Sequence, residues 1–198
     1  MKVGVIAFQG AVSEHMQMID SLLGKGSGVA VRSAEELERV SAVIIPGGES
    51  TTIGKLMRSS GVFRKLKELG DSSFPIWGTC AGMIMLAREG DAQVERTGEL
   101  LGLMDMRVKR NAFGRQRESF EEELEVAGIG RCHCVFIRAP AVERIYGRCR
   151  ALAHFGRYIV AAEQGNLLAT AFHPELSGDS RFHRYFISKV DKSIFLNR

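Results

Sequence analysis

In the first half of the chain the apolar residues fall into short unbroken runs, "VGVIAF", "GVAV", "AVII" and "PIWG". Between these runs, residues 12–23, a long stretch between "AVII" and "PIWG", and finally "AGMIMLA" space their apolar positions as a helix does. Unbroken apolar runs suit strands buried on both faces, and strand–helix alternation predicts a parallel sheet sandwiched between helices. The second half changes character: "ELEV", "CHCVFIRA", "RALAHF", "YIVAAE" and "LLATAF" follow one another across Gly and polar turns, most of them without helices between. That order predicts antiparallel or mixed pairing. Residues 180–190 form a closing amphipathic helix whose Phe182, Tyr185, Phe186 and Val190 would cover the sheet. The expectation is a three-layer α/β fold with a mostly parallel central sheet and a mixed C-terminal part, in a single domain over 1–198.

Composition changes this picture little. A chain of 198 residues, 45% apolar and 25% charged, reads as an ordinary globular protein. At this size it buries roughly 70% of its unfolded surface and needs no disulfide or metal staple. No apolar stretch reaches a membrane span, and Gln9 and Gly10 interrupt the apolar start before a secretory core can form, so a cytoplasmic protein with no membrane partner is expected. The net charge of +4 is mild. Its densest basic stretch, "RVKRNAFGRQR", contains one aromatic, Phe113, and reads as a solvated loop rather than a nucleic-acid surface. Cys80, Cys132, Cys134 and Cys149 have no disulfide-framework spacing and are expected as free thiols.

Ligands of open α/β sheets bind beyond the carboxyl ends of the strands, and three loops there carry chemistry. In "PIWGTCAGM", Gly78 and Gly82 flank Cys80 between a strand and a helix, the nucleophile-elbow pattern with sulfur in place of oxygen. The corner exposes the sulfur, and helix-start amides favour a thiolate. A buried structural cysteine fits the same letters. In "VIIPGGESTT" a strand runs into Pro46, Gly47 and Gly48, whose amides could receive an oxyanion. A phosphate loop fails there, because Glu49 stands where its first glycine belongs and Leu56 replaces its hydroxyl residue; a tight turn into a capped helix remains open. In "LLATAFHPE", His173 follows a strand and Glu175 is close enough to accept a hydrogen bond from its ring, a base with its orienting acid.

Other candidates are weaker. His15 and His183 sit in helical patterns, and His133 and His154 in strand patterns with no nearby carboxylate; all four are expected on the surface or in the core. "RCHC" would turn Cys132 and Cys134 to one side of a strand and His133 to the other, so no tetrahedral metal set forms. Gly24, Gly26 and Gly28 follow a helix and lack the third glycine of a dinucleotide fingerprint. Neither a metal nor a cofactor is expected.

Cysteine, histidine and glutamate in this chain order behind a Gly-Gly loop resemble the triad-type glutamine amidotransferases. More narrowly, "GVIAFQGAVSEH", "PGGEST", "GTCAGMI", "RNAFGRQ", "FIRAP" and "FHPE" are similar to successive motifs of the glutaminase subunits of pyridoxal 5′-phosphate synthases, from Val3 to about Val190. "GTCAG" and "HPE" belong to the wider superfamily, whereas "QGAVSEH" and "RNAFGRQ" are specific to this subfamily. The resemblance implies a class I glutamine amidotransferase-like, flavodoxin-like fold. It implies Cys80 as nucleophile, His173 and Glu175 completing a triad, and the Gly48 and Ala81 amides as oxyanion hole. L-glutamine would be held by Gly48, Glu49, Ser50, Arg110, Ile137 and Arg138. Phe8 and Met83 stand where leucine is usual, which bears on packing near the partner surface; Ser33 replaces a frequent proline.

The same resemblance implies hydrolysis of glutamine to glutamate and ammonia through a thioester. The ammonia would pass to a separate synthase subunit, which joins it to a pentose phosphate and a triose phosphate in a hetero-oligomer, and that subunit would activate the glutaminase. Two other readings share some of these residues. A stand-alone cysteine hydrolase such as a γ-glutamyl peptidase would use the triad without a partner, and a silent binding module would lack a member of it.

Overall fold

The computed structural model describes residues 1–114 and 118–191, so the last two positions of "RNAFGRQ" lie outside the described residues. Apart from the one-turn α2, which the apolar pattern does not mark, the first half folds as its pattern requires: β1 (Val3–Ile6), α1 (Val12–Leu23), β2 (Gly28–Val31), α2 (Ala34–Leu37), β3 (Ala42–Ile45), α3 (Ser50–Ser59), α4 (Val62–Asp71), β4 (Ile76–Thr79) and α5 (Ala81–Leu86). Every residue of β1, β3 and β4 is buried, the reason these segments read as unbroken apolar runs. The long helical stretch is two helices. Gly61 takes φ 77°, a left-handed conformation that ends α3 and lets α4 start in a new direction.

The second half comprises β5 (Ala87–Gly90), α6 (Ala92–Glu95), β6 (Met104–Lys109), β7 (Ser119–Val126), β8 (Gly130–Ile137), β9 (Ala141–Ile145), β10 (Arg150–Phe155), β11 (Tyr158–Gln164), β12 (Leu167–Thr170) and α7 (Arg181–Val190). The main sheet runs β2-β1-β3-β4-β12-β11-β9-β6-β5, with β10 added on β11, while β7 and β8 form a separate ribbon. From β2 to β12 every pairing is parallel; β12–β11, β11–β9 and β9–β6 are antiparallel. The expected three-layer arrangement with a mixed C-terminal part is therefore the observed one. One pairing matters most for chemistry. β12 lies parallel to β4 with Thr170 opposite Thr79, so the loops leaving both strands emerge side by side.

Aromatic packing anchors this junction. Trp77 of β4 donates its indole N–H to Thr170 Oγ1 at 3.2 Å and lies under α7, 6.3 Å from Phe182 and 5.6 Å from Phe186 between ring centroids. Phe172 joins Phe182 to Phe136 of the ribbon, and Phe136 stacks on Phe120 at 4.5 Å. Each such pair adds about 0.5–1.5 kcal/mol beyond simple burial. Met83 is fully buried within α5, so its departure from leucine acts on the core and not on a surface.

The ribbon corrects one expectation. His133 has two carboxylate neighbours, Glu123 at 3.0 Å and Glu121 at 2.9 Å, because β7 pairs Glu123 directly across from it. Cys132 and Cys134 point inward, where burial pushes their thiols up to about 11 and about 12. All four cysteines are free. Among the described residues no helix is long and apolar enough to cross a membrane.

Phe186 is fully buried against Trp77. Its replacement by alanine is expected to lower unfolding free energy by about 3–5 kcal/mol, read as a lower urea midpoint at unchanged slope.

Candidate active site

Cys80 is the corner residue between β4 and α5, with φ 48° and ψ −103°. A non-glycine residue held there stores of order 1–3 kcal/mol of strain. Neighbouring bonds hold it in place: its amide donates to the Thr170 carbonyl at 2.8 Å, and its own carbonyl accepts from Met83 and Ile84 as α5 begins. The flanking glycines leave no alternative to small residues. A Cβ on Gly78 would collide with the Gly82 carbonyl, and one on Gly82 with the Ile45 carbonyl. The sulfur lies 3.9 Å from the Ile137 carbonyl oxygen.

His173 arrives from the neighbouring strand. Past β12 its amide donates to Val135 O of β8 at 2.8 Å, so the ribbon fixes its height above the sheet. Pro174 then opens a 3-10 turn that folds Glu175 back beneath the ring, with Nδ1 2.7 Å from Oε1. The Glu175 side chain is fully buried. With Nδ1 engaged by the carboxylate, Nε2 is the ring nitrogen left for another partner. Burial opposes a charged imidazole, but the hydrogen bonds to Cys80 and Glu175 outweigh it and push His173 up to about 10.

The loop after β3 closes the site. A Cβ on Gly47 would collide with the His173 ring, and Gly48 has φ 146°, so glycine is required at both. Glu49 caps α3, accepting from the amides of Thr51 at 3.2 Å and Thr52 at 2.8 Å, and it pairs with Arg110 at 2.7 Å. Partial burial works against its charge, yet Arg110 and Thr52 bring its carboxyl down to about 2. Gln9 Oε1 accepts the Glu49 amide at 2.9 Å. Ala81 is the first residue of α5, so its amide has no acceptor within its own helix.

A cleft of about 440 Å³ brings the expected residues together: Gly48, Glu49, Ser50, Cys80, Ala81, Arg110, Ile137, Arg138 and His173 all line it, with Glu175 beneath the histidine. Arg110 is already engaged by Glu49 rather than extended alone into the cleft. Sequence reasoning missed Gln9, Asn111 and Leu176, which also line it. It also missed His15 and His183, which meet behind Glu175: His15 Nε2 is 3.4 Å from Glu175 Oε2, and the two imidazoles are 2.9 Å apart. Both histidines showed only a helical pattern in sequence, and nothing in that pattern distinguishes a core residue from one backing an active site. Among the described residues, no group of His, Cys, Asp and Glu is arranged to hold a metal ion.

An α/β sheet carrying a cysteine on a strand-to-helix elbow beside an acid-paired imidazole has the geometry of acyl-transfer hydrolases. Residues 5–192 match the SNO glutamine amidotransferase family, and the chain belongs to it. It is 54% identical over 202 residues to the pyridoxal 5'-phosphate synthase subunit PdxT of Methanopyrus kandleri, spanning 96% of this chain and 100% of that one. Its likeness to PdxT of Niallia circulans is 50% over 191 residues, covering 96% and 98% of the two chains. A crystal structure of a glutamine amidotransferase superposes with a TM-score of 0.89 at 45% identity, over 96% of this chain and 99% of that chain.

Gly47→Ala is expected to displace the His173 ring. Alkylation of Cys80 by iodoacetamide should slow by about tenfold or more, since thiol reactivity depends on a neighbouring imidazolium. An unchanged rate would show that the ring does not need this space.

Proposed function

We propose that this chain is the glutaminase subunit of a pyridoxal 5′-phosphate synthase, hydrolysing L-glutamine to L-glutamate and ammonia. The reading rests on one observation: Cys80 and His173 line one cleft wide enough for an amino acid, with His173 Nδ1 2.7 Å from Glu175 Oε1. Its near-full-length likeness to PdxT subunits favours this reading over a stand-alone γ-glutamyl peptidase.

In the proposed reaction Cys80 Sγ attacks the side-chain amide carbon of glutamine, and the carbonyl becomes an oxyanion received by the amides of Gly48 and Ala81. Each such donor contributes about 3 kcal/mol, roughly a hundredfold in rate. His173 gives its proton to the amide nitrogen, the C–N bond breaks, and ammonia leaves a glutamyl thioester. Water then attacks the thioester with His173 as base, the C–S bond breaks, and glutamate departs. Arg110 and Arg138 match the carboxylate of the substrate, and Gly48, Glu49, Ser50 and Ile137 complete its pocket. The ammonia passes to a synthase subunit in a hetero-oligomer, in the cytoplasm, from a single glutamine amidotransferase domain over 1–198.

Cys80→Ala, assayed for glutamate release with the synthase subunit present, should lose about 10⁴-fold or more. Turnover surviving the substitution would overturn the proposal. A second expectation follows from the raised value of His173. In the free enzyme a group held at about 10 keeps its proton as pH rises through neutrality, so the alkaline fall of kcat/KM, which reports the free enzyme, should come only near pH 10. An alkaline fall centred near pH 7 would contradict the assignment.

A further inference from the structure

Behind the proposed triad lies a second polar layer that the reaction does not use. Glu175 gives one oxygen, Oε1, to His173; the other, Oε2, is buried and makes no hydrogen bond of ordinary geometry among the described residues. The nitrogen facing it, at 3.4 Å, is Nε2 of His15, carried by α1. On its other side His15 Nδ1 lies 2.9 Å from His183 Nε2, carried by α7. Both imidazoles are buried, and Trp77 presses edge-on against each, at 5.7 Å and 4.8 Å between centroids.

Burial, together with the His183 and His173 rings, holds His15 well below the ordinary histidine value, and burial brings His183 down to about 3, so each ring is neutral and carries one N–H. Glu175 is an acceptor, so the proton of His15 belongs on Nε2. Its Nδ1 then accepts, and His183 must donate from Nε2. That leaves His183 Nδ1 as a bare lone pair, and Nδ1 is indeed the buried His183 atom without a partner. A buried bare acceptor is tolerated far better than a buried orphan N–H, so the opposite direction is disfavoured at both ends of the chain. His15 Nε2 is also hydrogen-bonded to Thr79 Oγ1 at 3.5 Å; a hydroxyl oxygen can accept, so this contact is compatible with an Nε2–H turned toward both Thr79 and Glu175.

We propose that His15 is a positioning residue for the reaction: its Nε2–H, oriented by His183, holds the second oxygen of Glu175 and so fixes the carboxylate that steers His173. It touches neither substrate nor Cys80 and acts through Glu175. The proposal rests on the glutaminase reading for its activity test and on geometry alone for its spectroscopic one.

The test compares His15→Phe with His15→Gln in the full chain, with the synthase subunit present for turnover. A glutamine amide offers an N–H and an oxygen spaced much like the two ring nitrogens, whereas phenylalanine fills the space without either. His15→Phe should lower kcat by about 10- to 100-fold, the size of one hydrogen bond to a charged group, and leave KM within about twofold. His15→Gln should restore kcat to within a few-fold. Nuclear magnetic resonance of ¹⁵N-labelled histidines in the isolated wild-type chain, which needs no variant to fold, should show Nε2–H tautomers for both His15 and His183. In His15→Phe the titration of His173 should fall toward the ordinary histidine value. Equal loss in both variants, wild-type kcat in His15→Phe, or an Nδ1–H tautomer at either ring would overturn the proposal. Wild-type chain inert toward glutamine, but showing both spectroscopic results, would remove the substrate reading and leave the positioning role standing.

Discussion

A cysteine backbone forced to φ 48° and ψ −103° is the constraint from which the rest of the site follows. Strain of this kind persists only where the surroundings over-determine it. Here they do: the Cys80 amide is tied to Thr170 across the parallel pair β4–β12, and Gly78 and Gly82 let the strand, the helix and β3 approach without any Cβ between them. Because β12 is the strand that holds the corner, the chain leaving it arrives beside the sulfur. Three residues beyond Thr170 is His173. The same pairing that strains the cysteine therefore delivers the imidazole, and no flexible loop has to bring the two together.

Much of this was legible in the sequence where local pattern and long-range packing agree. Unbroken apolar runs marked β1, β3 and β4 because those strands are buried on both faces, and Gly-x-Cys-x-Gly marked the elbow because only small residues fit around it. What escaped detection depends on partners distant in sequence. β5, "AREG", is short and carries charge, and its strand character comes from pairing with β6. His133 has no acid near it in sequence because Glu121 and Glu123 lie ten or more positions away and meet it only when the ribbon closes. His15 and His183 are 168 positions apart in the chain, and only the docking of α1 and α7 against Trp77 makes them neighbours.

The buried polar layer also explains how fold and chemistry share material. α7 covers the sheet with Phe182 and Phe186, and the same helix turns His183 inward to His15. α1 presents Ile19 and His15 as its buried residues, one to the core and one to the back of the site. Each polar group there is costly to bury unless paired, so the layer specifies how α1 and α7 seat as well as where Glu175 points.

The central claim is that one thiol of four, the one on the strained corner, is the group that meets glutamine. Incubation with a glutamine-mimicking alkylating agent, followed by peptide mapping, tests it directly. The structure buries Cys80 as it does the other three, against the expectation of an exposed sulfur, but Cys80 lines the cleft. The account predicts a single adduct on Cys80, prevented by glutamine, with Cys132, Cys134 and Cys149 unmodified because none of them lines the cleft and burial pushes their thiols up to about 11, about 12 and about 11. An adduct at another cysteine, or inactivation with Cys80 intact, would contradict it.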